Sequence, residues 1–286
     1  MTTQNNDLAV NKPQGLMKSL GSPAVYNRLK TLLNDAKIAG RMRTNMLSIV
    51  GNNQFLQKCD ATSILSAVGQ AATMNLSISP TLSQAYIVPY KEKNGTYKAQ
   101  FQIGWKGLYQ LAIRSGQYKT INAGAVYEGE IESRDRTTGE IIWQDKISDK
   151  IIGYFAAFEL LNGFRKTVYM SVEELKAHAK KYSQSYRYDV TNNAKTSPWS
   201  TLFDAMAQKT VLKSLISKYG IISIELETAI QADQAIIIEG GKYRYIDNEK
   251  PIRNVEAVEA LPVEENIIEE VPLNDSATVK GGVMNG

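Results

Sequence analysis

One cysteine, Cys59, and one histidine, His178, occur in 286 residues. A single thiol excludes an intramolecular disulfide, and one thiol plus one imidazole falls short of a Cys/His zinc set. Cys59 reads as a small packing residue in a helical region, and His178 as a surface or half-buried member of a Lys-rich helix. A G-x-x-x-x-G-K-S/T phosphate loop is missing, so ATP-driven chemistry has no support. G-x-G-x-x-G, H-E-x-x-H and G-x-S-x-G are missing too. No run reaches the roughly 18 apolar residues a membrane-spanning helix needs. The polar opening, MTTQNNDLAVNKPQG, lacks the apolar stretch of a signal peptide. The expected location is the cytoplasm, with no membrane partner and no cofactor, where a free thiol is ordinary.

The composition is that of a globular chain, 43% apolar and 22% charged, with a net charge of +4. That balance hides an asymmetry. Residues 247–286 carry nine acids and three bases, a net −6, so residues 1–246 carry +10. A basic body with an acidic end fits a polyanion-binding core and a separate partner-facing segment.

Residues 1–21 are polar and Gly/Pro-punctuated, and are expected to form a disordered arm. Ser22-Pro23 opens a helix that Gly40 is expected to stop. Helices follow near 43–56 and 61–75. QAYIVPY and TYKAQFQI around Asn94-Gly95 read as a hairpin. Gly104 starts the helix WKGLYQLAIRSG, and residues 118–170 are β-rich, with loops at RDRTTGE and Asn162-Gly163. Ser171 and Glu174 form a capping box opening SVEELKAHAKKY. A Tyr-rich loop is expected over 183–197, one helix from Ser197-Pro198 to Gly220, and a shorter one over 225–234. The order predicts an α+β fold, an antiparallel sheet and hairpin packed with helices. Its core spans 22–240, and an acidic, mostly disordered tail spans 241–286.

Acids cluster at Glu128, Glu130, Glu132 and Asp135. Paired carboxylates hold Mg²⁺ in nucleases, but acids at period 2 in a β segment also make one solvated strand face, which is the preferred reading. The positive signals are basic and aromatic. Between Gln84 and Lys119 lie Lys91, Lys93, Lys98, Lys106, Arg114 and Lys119 against the single acid Glu92, interleaved with Tyr86, Tyr90, Tyr97, Phe101, Trp105, Tyr109 and Tyr118. Cations neutralise phosphates, and aromatic faces stack on unpaired bases without regard to sequence. An edge hairpin guarded by lysines looks the same. On the helix after it, Lys106, Gln110 and Arg114 form a polar stripe at i, i+4, i+8. On the helix 198–219, Lys209 and Lys213 share a side with Leu202, Met206 and Ile216 rather than facing away from it. Two lysines inside an apolar stripe either snorkel or line an anion-holding groove, and the groove is favoured because uncompensated buried ammoniums are costly. From Lys176 to Tyr219 there are eight bases and two acids, Arg187 among the bases.

Four blocks in this order, QAYIVPY, IGWKGLYQLAIRSGQ, VYEGE and SPWSTLFDAMAQKTVLKSLISKYG, resemble the RecT family of phage single-strand annealing proteins, over roughly residues 22–235. The resemblance implies a non-enzymatic recombinase that coats single-stranded DNA and pairs it with a complementary strand without ATP. It further implies rings or helical filaments on DNA, annealed duplex as product, a phage exonuclease and the host single-strand binding protein as partners, and a bacterial cytoplasm. DNA contacts map onto Lys106, Arg114, Lys209 and Lys213, and less securely onto Lys91, Lys93 and Lys98. Lys119 and Arg187 complete the expected phosphate grip, with Tyr90 and Tyr97 as base-stacking residues. No metal or catalytic residue is expected. The rival functions are a Mg²⁺-dependent nuclease and a duplex-binding structural or regulatory protein.

Overall fold

The computed structural model describes residues 12–92, 94–135, 137–237 and 243–245. Four helices come first, α1 (Lys12–Leu20), α2 (Pro23–Leu33), α3 (Ala36–Gly51) and α4 (Ala61–Thr73). Their starts are written locally. Ser22 accepts from the Val25 amide with Pro23 in the first turn, Asp35 accepts from Lys37 and Ile38, and Asp60 accepts from Ser63. Two expectations fail here. The arm is helical from Lys12, and Leu20 is fully buried. The break falls at Asn34-Asp35 rather than Gly40, which rides inside α3. Asn34 takes the left-handed conformation that ends α2 (φ 49°), and Asp35 caps α3 at once. A glycine in a helix costs only about 1 kcal/mol, too little to stop one that is capped and packed.

The hairpin forms as expected. β1 (Ala85–Lys91) pairs antiparallel with β2 (Tyr97–Ile103), Ala85 opposite Ile103 and Lys91 opposite Tyr97. Helix α5 (Trp105–Arg114) folds back against the hairpin through two glycines. A β-carbon on Gly107 would lie 2.1 Å from the Gln84 carbonyl oxygen, and one on Gly104 would lie 2.2 Å from that of Ser83. Next come β3 (Tyr118–Tyr127), a small hairpin of β4 (Ile131–Arg134) and β5 (Ile141–Trp143), and then β6 (Ile151–Leu160) and β7 (Arg165–Ser171). The antiparallel sheet runs β3-β6-β7. With the helices described above, this is the expected α+β class.

The capping box at Ser171 and Glu174 opens α6 (Val172–Tyr182). The expected loop over 183–197 instead contains α7 (Gln184–Asn192), because Ser183 caps it by accepting from the Tyr186 amide. The helix expected from Ser197 to Gly220 breaks at Leu202 into α8 (Pro198–Thr201) and α9 (Phe203–Tyr219). The chain continues through α10 (Ile224–Ala232) into the pair β8 (Ala235–Ile237) and β9 (Tyr243–Tyr245). The expected disordered tail lies almost wholly outside the described residues. Helix α9 is the keystone. It packs on the sheet on one side and on α5 on the other, burying Ala207, Val211, Leu212, Leu215 and Ile216. Each large apolar side chain so buried contributes about 1.5–3 kcal/mol. From the sheet, Tyr154, Ala156, Phe158 and Leu160 face it, and the Tyr154 hydroxyl donates to Asp204 on its first turn.

Candidate nucleic-acid interface

Strand β7, helix α6 and helices α8–α9 enclose a cleft of about 670 Å³. At its base lie Lys209 and Lys213, one turn apart on α9. The sequence leaves them without counter-charge, and the structure corrects that: both ammoniums close on Asp233. Lys209 Nζ lies 2.8 Å from Oδ1 and Lys213 Nζ 2.7 Å from Oδ2. Asp233 follows α10, where Gln234 turns left-handed (φ 65°) and donates to the Phe101 carbonyl. Its Oδ1 also accepts from the Ile103 amide at 3.2 Å, so one carboxylate ties the end of β2 to α9. Burial would raise this carboxyl, but the two ammoniums outweigh it and hold it below the ordinary aspartate value. Burial likewise draws the Lys209 ammonium down, against the pull of Asp233. Two cations on one anion leave one positive charge at the base of the cleft.

The wall opposite is aromatic. His178 packs tilted against Tyr182 with ring centres 4.6 Å apart and lies 6.4 Å from Trp199, which meets Phe203 edge-on at 5.7 Å. Burial first, then the charges of Lys213 and Lys181, push the His178 imidazole below its usual value. Trp199 is placed by α8, and α8 by a carboxylate. Buried Asp189 accepts from the Thr196 amide and hydroxyl, the Ser197 amide and the Ser200 hydroxyl. Burial alone would raise Asp189, yet these donors keep it far below the usual carboxylate range.

A smaller cavity of about 210 Å³ adjoins the cleft, sharing Val168 and Tyr169 of β7. The Arg134 guanidinium sits 5.4 Å from the Tyr169 ring centre, and Lys166 Nζ sits 5.1 Å from that of Tyr219 while donating to the Thr138 carbonyl at 2.6 Å. Asp135 borders it with its carboxyl lowered to about 2 by Thr137. Across both cavities Arg134, Lys166, Lys209, Lys213 and Lys218 face Asp135 and Asp233, a surplus of three positive charges.

Of the DNA contacts expected from sequence, Lys209 and Lys213 line this groove, and the others among the described residues do not. Lys209 is 7% exposed and committed to Asp233. Lys106 and Arg114 lie on the exposed side of α5, whose other face packs against α9. Arg114 donates to the Met74 carbonyl at 2.6 Å and Lys106 lies over Trp105 at 5.7 Å. Lys119 pairs with Glu159 at 2.8 Å. Arg187 donates to the Lys181 carbonyl at 2.9 Å, closing the end of α6. Lys91 lies over the Tyr97 ring at 5.9 Å, Lys98 is half-buried in β2, and Lys93 lies outside the described residues. Tyr97 stacks on Phe55 at 5.7 Å, and the Tyr90 hydroxyl donates to Gln184 on α7. The acidic cluster does not assemble as a metal site. Glu128 binds Ser148 and Lys150, Glu130 accepts from the Tyr127 amide, and Asp135 holds its own turn. Among the described residues no group of three or more His, Cys, Asp or Glu side chains is placed to hold a metal, and no helix is long and apolar enough to cross a membrane.

Sequence reasoning missed Asp233, Asp189, Arg134, Lys166 and Tyr169. The one available signal was the lysine pair itself, since two cations in an apolar stripe call for an anion from elsewhere in the chain.

Comparison with known proteins agrees with the four ordered blocks. A family model described as the RecT family matches residues 40–252. The chain is 38% identical over 265 residues to the uncharacterized protein YqaK of Bacillus subtilis strain 168, covering 87% of each chain. It is 26% identical over 264 residues to the protein RecT of Escherichia coli K12, covering 86% of this chain and 94% of that one.

Proposed function

The chain belongs to the RecT family, and from that premise we propose that it is an ATP-independent single-stranded DNA-binding and annealing protein acting in homologous recombination. The observation that carries the reading is the groove along β7, with its surplus of positive charge and its wall of exposed Tyr182 and half-buried His178, backed by buried Trp199. Phosphates need cations and unpaired bases need flat faces, and a groove offering both without hydrogen-bond readout holds a strand of any sequence. Lys213 and Lys218 take phosphates in the main cleft, and Arg134 and Lys166 extend the path over Tyr169 and Tyr219. Base pairing itself supplies the specificity, so no bond-breaking residue, metal or cofactor is required. Lys106, Arg114 and Lys119, exposed outside the cavities, serve as outlying phosphate contacts.

Many weak grooves on one strand gain avidity when subunits line up, so the working form is a homo-oligomer, ring or filament, built from the core of residues 22–240. Helix α1 of the arm packs Leu20 into that core, and the acidic tail 241–286 follows it in sequence. The protein works in the bacterial cytoplasm beside an exonuclease that exposes the strand and the host single-strand binding protein.

Mixing labelled complementary oligonucleotides with the purified protein, without ATP, tests this. Duplex forms faster than in buffer alone, and Lys213→Ala with Lys218→Ala slows it in a folded protein. Shortening of the label in Mg²⁺ would point to the nuclease instead, and a strong preference for one duplex sequence to a regulator.

A further inference from the structure

We propose that Lys209 never touches DNA and acts as a positioning residue: it neutralises Asp233 so that Lys213, held by the same carboxylate, keeps its full charge for a phosphate. The inference rests on the reading of the β7 groove as the strand site. Three observations support it. The Lys209 side chain is 8% exposed and that of Lys213 30%, although both contact the same aspartate at 2.8 and 2.7 Å. Asp233 is 2% exposed and spends Oδ1 on Lys209 and the Ile103 amide, leaving Oδ2 for Lys213. An ammonium has three N–H donors, and the Oδ2 bond takes one of those on Lys213, whose remaining surface faces the cleft.

A cation bound to an aspartate alone makes a neutral pair, and such a pair releases no counterion when a phosphate arrives. The second, deeper lysine changes that sum. With Lys209 at the base of the cleft and its side chain only 8% exposed, the triad carries one net positive charge, and the more exposed Lys213 presents it. The carboxylate also fixes a four-carbon side chain that would otherwise lose its rotamer freedom on binding. Lys209 thereby sets the electrostatic strength of a contact it does not make.

The test is the slope of log affinity against log salt for a short single-stranded oligonucleotide, which falls by about 0.7 for each phosphate the protein ceases to neutralise. Lys213→Ala reads the groove: a drop of about that size upholds it, and an unchanged slope removes both the groove and this inference. Lys209→Met is then expected to lower the slope as much as Lys213→Ala, although the charge removed is buried. Lys209→Met combined with Asp233→Asn returns the slope to the wild-type value, because Lys213 is no longer neutralised. If the double variant keeps the lowered slope while Lys213→Ala is also low, Lys209 is itself a phosphate contact and the proposal fails. If Lys209→Met alone keeps the wild-type slope, Lys209 is purely structural and the proposal fails too. Should Lys209→Met not fold, Lys209→Gln, which keeps a hydrogen-bond donor for Asp233 but not the charge, takes its place with the same expected slopes.

Discussion

Replacing Asp233 with alanine removes the one carboxylate shared by Lys209 and Lys213, and the cost follows from the geometry. Lys209 is left as a buried cation stripped of its counter-charge, and the Ile103 amide loses its acceptor. Breaking a buried ion pair from one side costs about 3–5 kcal/mol, and an orphaned buried N–H adds about 1–3 kcal/mol. Lys209 recovers part of this by releasing its proton, an exit that burial already favours. The expected net loss is about 4–6 kcal/mol, a large share of the 5–15 kcal/mol typical of a domain. For a domain of this size that is a fall in Tm of roughly 10–20 °C. Urea unfolding followed by circular dichroism and fluorescence, at fixed protomer concentration, measures it. The loss is pH-dependent with a definite sign. Because the folded carboxyl is held low, its contribution is fully present above the unfolded aspartate value near pH 3.9 and disappears as pH falls through the folded value. Wild type and variant should therefore begin to converge only as pH falls below about 4 and meet below the folded value. A loss under about 1 kcal/mol at pH 7 would refute the reasoning, since it would mean that the two lysines find water as easily as they find Asp233.

Gly107→Ala should destabilise the contact between α5 and the hairpin by about 1–3 kcal/mol or more, because its β-carbon meets the Gln84 carbonyl oxygen at 2.1 Å; an unchanged melting curve would show that this close approach is not needed. Burial pushes the Cys59 thiol up to about 12, so at pH 8 it should react with a disulfide reagent only after unfolding, and rapid labelling of the native protein would contradict the buried placement. A phosphate beside His178 favours the imidazolium that burial, Lys213 and Lys181 suppress. Affinity for single strands should therefore rise as pH falls from 8 to 6, and less so in His178→Gln; superimposable pH profiles would place the strand away from this wall.

What the sequence by itself determined is local. Ser22-Pro23, Ser171 with Glu174, Asn94-Gly95 and Asn162-Gly163 mark their elements within four residues, and the structure starts or turns the chain at each. The misplaced boundaries were also local contests, in which Asn34-Asp35 outcompeted Gly40 and Ser183 capped a helix inside an expected loop. The placement of Lys209 and Lys213 on one side of α9, and the family itself, were legible too. What only the tertiary structure decided is which charges meet. Asp233 lies 24 residues beyond Lys209 and reaches it because α10 ends beside β2. Arg134 comes to Tyr169 because the β4–β5 hairpin folds over β7. Periodicity reports the face of an element, set by backbone geometry a few residues long. The partner of a charge is set by Coulomb attraction and desolvation across space, and those depend on how distant elements pack.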